Sequence, residues 1–210
     1  LGSAEGVLLA NYAYNRMKSD KKITTSVIEQ VNIIGIASKH KSMIDRAKII
    51  ASGVHLVRDL VNNNADDETA THLASVAKSF SDLSPNMKVT IFDKKKIEKE
   101  KMDLLLAVNR GSEKPPSFIV LDYKGDSNSK DKTILVGKGV TYDTGGLSLK
   151  PTASMEDMKS DMSGGAAVLG ALYVAALLDL KVNVMGIVPA VENAIGPDSY
   201  KPGDIYRSYS

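Results

Sequence analysis

Two hundred and ten residues with 43% hydrophobic and 25% charged side chains suffice for a packed core and exclude a disordered chain. Twenty-seven Lys and Arg against 25 Asp and Glu leave a net charge of +2, which argues against a dedicated nucleic-acid binder, since such proteins concentrate basic residues on one face. The absence of cysteine excludes disulfides, thiolate zinc sites and cysteine nucleophiles, and it suits a reducing compartment.

Residues 5–22 predict a first helix, with Val7, Leu8 and Ala10 on its apolar side and a charged stretch at its end. Neither a basic n-region nor an apolar h-region opens the chain, so no signal peptide is expected. The first residue is not Met, so the sequence reads as beginning inside a longer protein. Residues 31–37, VNIIGIA, form a β-branched run of the kind that marks a buried strand. From Ser42, placed as an N-cap, Met43, Ala47, Ile50, Val54, Val57 and Val61 recur at helical spacing. The turn cluster Asn62-Asn63-Asn64 ends that helix. A domain junction is expected across it, with residues 1–41 as the end of a smaller α/β domain and 42–64 as a connecting helix.

Beyond the junction, helices and strands alternate. Helices are predicted over residues 69–80, 94–101 and 164–180, and strands over 88–92, 104–108, 118–122, 133–136 and 182–191. This order predicts an α/β protein with three α/β/α layers and a mixed, largely parallel sheet. The lysine-rich run 93–101 reads as a solvated helix rather than a basic patch, because acids are interleaved with its lysines. The longest apolar run, residues 166–178, falls short of the roughly 20 residues that span a bilayer. A soluble cytoplasmic protein with no membrane partner is the expectation.

The informative segment is GKGVTYDTGGLSLKPTASMEDMKSDMSGG, residues 137–165, which holds six of the 16 glycines. Glycines gather where the backbone needs positive φ or where another group approaches closely. The segment follows the strand predicted at 133–136, and ligands bind at the carboxyl ends of strands in open α/β sheets. Lys138, Asp143, Lys150 and Asp161 are spaced through it. Two aspartates on loops at a strand end can supply hard oxygen ligands to divalent metals. A lysine among bound cations loses proton affinity and can serve as a neutral nitrogen ligand, while a less crowded lysine stays charged as an electrophile. On composition and spacing alone, surface ion pairs on a glycine-rich loop explain the same four residues.

Other chemistries fail on spacing. Lys138 precedes Gly139 rather than Ser or Thr, so there is no P-loop, and Tyr142 occupies the last glycine position of a dinucleotide fingerprint. His40, His55 and His72 have no metal-ligand spacing, and neither Ser148 nor Ser163 has a nearby histidine partner.

Residues 136–151, VGKGVTYDTGGLSLKP, resemble the first metal-site motif of the leucyl aminopeptidase (cytosol aminopeptidase) family of dinuclear metallopeptidases, and MEDMKSDMSGGA at 155–166 resembles the stretch that follows it. Weaker matches lie at Arg58-Asp59-Leu60-Val61-Asn62, at Arg110-Gly111-Ser112 with Pro115-Pro116, and at Lys201-Pro202-Gly203-Asp204. The resemblance implies that Lys138, Asp143 and Asp161 are metal ligands, with Asp143 shared by two ions. It implies that Lys150 is the catalytic lysine that polarises the scissile carbonyl, and that Met158 lines the pocket for the first side chain of the substrate. The implied cofactors are two divalent ions per subunit, Zn or Mn, with Mg or Co as further candidates. The implied activity is release of N-terminal residues, leucine-type preferred, from peptide substrates by a cytoplasmic homohexamer.

A later family motif, N-T-D-A-E-G-R, supplies a further Asp, a Glu and an Arg, and nothing in this sequence matches it. The chain therefore reads as an internal piece of a longer protein, inactive alone, with residues 65–210 as the N-terminal part of the catalytic domain. Some relatives also bind DNA as architectural factors. That role, or an inactive scaffold, is the alternative reading; nucleic-acid binding draws no support from the charge balance.

Overall fold

The computed structural model describes residues 2–19, 28–35, 37 and 40–208. Five strands form one mixed sheet: β1 (Met87–Phe92), β2 (Ser117–Lys124), β3 (Thr133–Val136), β4 (Gly139–Asp143) and β5 (Asn183–Asn193). β1 pairs with β2 and β2 with β5, both antiparallel. β3 and β4 follow one another along the other edge of β5 and run parallel to it. The sheet is mixed, as the alternation of elements predicts, but β1 and β2 give it a larger antiparallel share than alternation alone indicates.

Strict alternation along β2 turns Ile119, Leu121 and Tyr123 to one face, where they are fully buried with Val188 of β5. Helices α3 (Ala70–Ser79) and α7 (Ser163–Leu177) cover that face through Leu73, Ala77, Leu169 and Leu172. Each large side chain fully withdrawn from water there contributes about 1.5–3 kcal/mol, so the fold is anchored at this seam. The opposite face carries α4 (Lys94–Lys99) and α5 (Asp103–Asn109), with Phe92 and Phe118 tilted together at 5.7 Å. Ile134 and Val136, farther out on β3, remain 56% and 70% exposed.

Helix α2 (Lys41–Asn62) packs outside α7, and α1 (Gly2–Ala10) packs on α2. The stretch Thr152–Leu177 has the length and composition of a membrane span. It is α6 (Thr152–Met155), a 3₁₀ turn (Met158–Ser160) and α7 in succession, and α7 is buried in the core through Ala166, Leu169, Leu172 and Ala176.

Several local expectations change. The first helix stops at Ala10 because Tyr12 and Tyr14 leave it to donate to Asp59 Oδ1 on α2 at 2.8 Å and to Oδ1 of its C-cap Asn63 at 2.9 Å; residues 20–22 of that prediction lie outside the described residues. No strand forms over residues 31–35 and 37, and residue 36 lies outside the described residues. Ile34 there is 95% exposed, and an apolar run without a partner strand cannot satisfy its backbone by sheet pairing. Residues 104–108 belong to helix α5 rather than a strand, since so short an apolar run fits either period. Helix α2 begins one residue before Ser42, and no side chain caps it.

Candidate metal centre

The site forms where the edge of the sheet is interrupted. β3 ends at Val136, and the chain resumes pairing with β5 at Gly139, so Gly137 and Lys138 sit in the break. The Gly137 N–H still reaches Ile187 O at 2.9 Å, while the Lys138 carbonyl accepts from the Gly165 N–H at 2.8 Å. This places the N-terminal end of α7 against the break. A Cβ on Gly137 would lie 2.3 Å from Gly164 O, so glycine is what permits the approach.

Asp143 ends β4 and Asn193 ends the parallel β5, which puts both at the carboxyl end of the paired strands. A turn then carries the chain from Thr144 to Lys150, closed by the Lys150 N–H donating to Thr144 O at 2.9 Å. Gly145 in this turn has φ +85°, the left-handed region that favours glycine. Its N–H donates to Asp143 Oδ1 at 3.0 Å. The 3₁₀ turn at Met158–Ser160 delivers Asp161 just before α7, anchored by the fully buried Met162.

All five residues singled out from the sequence meet here. Lys138 Nζ lies 2.6 Å from Asp161 Oδ2 and 3.9 Å from Asp143 Oδ2. Lys150 Nζ lies 2.5 Å from Asp143 Oδ2 and 3.2 Å from Met158 Sδ. Burial works to raise the Asp143 carboxyl. The Lys150 ammonium, the Gly145 N–H and the Asn193 amide together outweigh it, and the group falls below the ordinary carboxylate range.

Asp161 Oδ2 is buried and accepts no hydrogen bond of good geometry; the Lys138 ammonium is its charged neighbour. A buried carboxylate oxygen whose neighbour is one amine is a hard, charged donor that suits a divalent cation as well as it suits the lysine. Two carboxylates and an amine also suit Zn or Mn among divalent ions. Among the described residues, no three His, Asp or Glu side chains converge, so these residues supply a partial ligand set. His72 pairs with Glu68 Oε1 at 2.8 Å and His55 lies beside Tyr12, both away from this centre.

Two features went unread in the sequence. Residues 139–143 read as part of a loop but form β4, although Val140-Thr141-Tyr142 carries the β-branched and aromatic signal of a strand. Asn193, whose Nδ2 donates to Asp143 Oδ1 at 2.7 Å, lies 50 residues away and belongs to no motif.

A family model described as the catalytic domain of the cytosol aminopeptidase family matches residues 55–210. A probable cytosol aminopeptidase of Protochlamydia amoebophila is 50% identical over 207 residues, 98% of this chain and 42% of the relative. One from Chlamydia trachomatis serovar A is 50% identical over 206 residues, covering 97% and 41%. The chain thus spans about two fifths of the length of these curated relatives. Among solved structures, the bottromycin maturation enzyme BotP in complex with Mn superposes with a TM-score of 0.82 at 32% identity, covering 98% of this chain and 42% of that one. A leucyl aminopeptidase from Trypanosoma cruzi superposes with a TM-score of 0.74 at 31% identity, covering 79% and 32%.

Proposed function

Because the chain belongs to the cytosol aminopeptidase family, we propose that the protein releases N-terminal residues, leucine-type preferred, from peptides at a dinuclear metal centre. The observation that carries this reading is the convergence of Lys138 Nζ on Asp143 Oδ2 and on the buried Asp161 Oδ2. The Mn complex of BotP supports it from outside the chain.

Lys138, Asp143 and Asp161 would hold the ions, Asp143 being shared between them and Lys138 ligating through its neutral amine. Divalent ions held there would supply activated water and Lewis-acid stabilisation of the attacked carbonyl. Lys150 remains an ammonium. Once Asp143 Oδ2 is committed to a cation, Lys150 keeps its bond to the Asp143 carbonyl oxygen at 3.2 Å, which leaves its other protons for the substrate. It polarises the scissile carbonyl and hydrogen-bonds the developing oxyanion, an interaction that strengthens as charge accumulates. Met158, 3.2 Å from that ammonium through Sδ, lines the space for the substrate's first side chain with a soft, adaptable surface. The further Asp, Glu and Arg of the family are not in these residues, so residues 1–210 alone are proposed to be inactive. Cytoplasmic location and homohexameric assembly belong to the same proposal and rest on the family resemblance.

The test is hydrolysis of a leucyl amide by the full-length protein before and after chelation, with Mn or Zn restored. Activity that disappears on chelation and returns with metal supports the reading. Undiminished turnover with metal at trace level would contradict it.

A further inference from the structure

Asn193 ends β5 and is buried, with 6% of its surface exposed. Its backbone carbonyl accepts two bonds from Thr144, one from the N–H at 3.0 Å and one from Oγ1 at 2.9 Å. These bonds fix Asn193 against the residue that follows Asp143. From this base the Asn193 Nδ2 donates to Asp143 Oδ1 at 2.7 Å. The amide has one workable orientation, because the reverse would set two acceptor oxygens against each other. The Gly145 N–H donates to the same Oδ1 at 3.0 Å. Oδ1 is therefore engaged by two protein donors, and Oδ2 is the oxygen turned toward Lys138 and Lys150.

The strand end beneath Asn193 is braced from the other face of the sheet. Neighbouring Glu192 accepts from Ser112 Oγ at 2.6 Å and from Lys114 Nζ at 2.9 Å, and Lys114 also reaches Asp66 at 2.8 Å. The donor that orients Asp143 thus stands on a rigid mount, as outer partners of metal ligands commonly do.

We propose that Asn193 is a positioning residue for the metal centre: by holding Asp143 Oδ1, it presents Oδ2 to the cation. This rests on the metal-centre reading above. A residue that merely packs under β5 would act on stability; one that aims a ligand acts on metal affinity.

The experiment compares Asn193→Leu, which keeps the volume and removes the donor, with Asn193→Ala and Asp143→Ala, all in the full-length protein. Mn²⁺ affinity is measured by competition with a chromophoric chelator, folding by circular dichroism, and kinetics on a leucyl amide. In folded Asn193 variants, Mn²⁺ binding is expected to weaken about 10–100-fold, the usual effect of removing an outer partner of a ligand. The kcat should fall at limiting Mn²⁺ and recover at saturating Mn²⁺, with KM for the amide within about twofold of the parent. Mn²⁺ affinity within about twofold of the parent in a folded variant overturns the proposal. Failure of both Asn193 variants to fold also overturns it, because the residue then serves the fold. Asp143→Ala separates the two layers: unchanged Mn²⁺ affinity there refutes the metal centre itself, whereas loss there beside unchanged Asn193 variants refutes only the positioning role.

Discussion

Lys150 grips Asp143 at two points, with Nζ 2.5 Å from the carboxylate Oδ2 and 3.2 Å from the backbone carbonyl oxygen of the same residue. The backbone contact does not depend on the state of the carboxylate. Lys150 can therefore stay in place while Oδ2 is given to a cation, which is what a separate electrophile beside a metal ligand requires.

Lys150→Ala is expected to lower kcat of the full-length protein by about 10²–10³-fold, the scale of removing one oxyanion donor. Metal content should stay near that of the parent. Steady-state kinetics together with elemental analysis check this, and loss of both metals would make Lys150 a ligand instead.

Gly137→Ala tests the break in the sheet edge. The added Cβ would sit 2.3 Å from Gly164 O and 2.8 Å from Gly165 Cα, so the N-terminal end of α7 must move away from Lys138. Overpacking of this kind costs about 1–3 kcal/mol. Thermal denaturation should show a lowered Tm, and metal affinity should fall with it, since Lys138 and Asp161 flank the displaced contact. A Tm equal to the parent's would mean that the approach is not tight.

Lys114 gives a pH signature away from the metal centre. Burial lowers its proton affinity, but hydrogen bonds and charge from Asp66 and Glu192 prevail, and its pKa lies above the ordinary lysine value. A group whose pKa is raised on folding contributes its full stabilisation below the unfolded pKa, about 10.4 for lysine, and loses it as pH rises through the folded value. The Tm difference between the parent and Lys114→Met should accordingly be constant from neutral pH to about pH 9 and shrink above about 10.4. A difference unchanged across that alkaline range would show that Lys114 acts by packing alone.

Much of this cluster was legible in the sequence because its residues lie within one segment. Lys138, Asp143, Lys150 and Asp161 span 24 positions, so one glycine-rich segment carried them, and the family resemblance added Met158. The long elements were equally plain: α2 repeats apolar residues over several turns, and α7 is an almost continuous apolar run. Short runs misled, because five apolar residues at 104–108 satisfy helix and strand alike, and they form a helix that packs on β5. The first helix was cut short by tertiary contacts of Tyr12 and Tyr14 with α2, which no local pattern encodes. Asn193 was invisible for the same reason. Its partner Asp143 is brought to it only when β4 pairs with β5.

The most direct measurement is the metal content of the full-length protein, parent against Asp161→Asn, by elemental analysis after equilibration with Mn²⁺ and removal of free ion. Oδ2 of Asp161 is buried and lies 2.6 Å from Lys138 Nζ, and an amide there offers a neutral ligand in place of a charged one. The parent should hold about two ions per subunit and the variant at least one fewer, with leucyl amide hydrolysis falling in step. Equal metal content and equal turnover in the two proteins would contradict the assignment of Asp161, and with it the metal centre proposed at Lys138, Asp143 and Asp161.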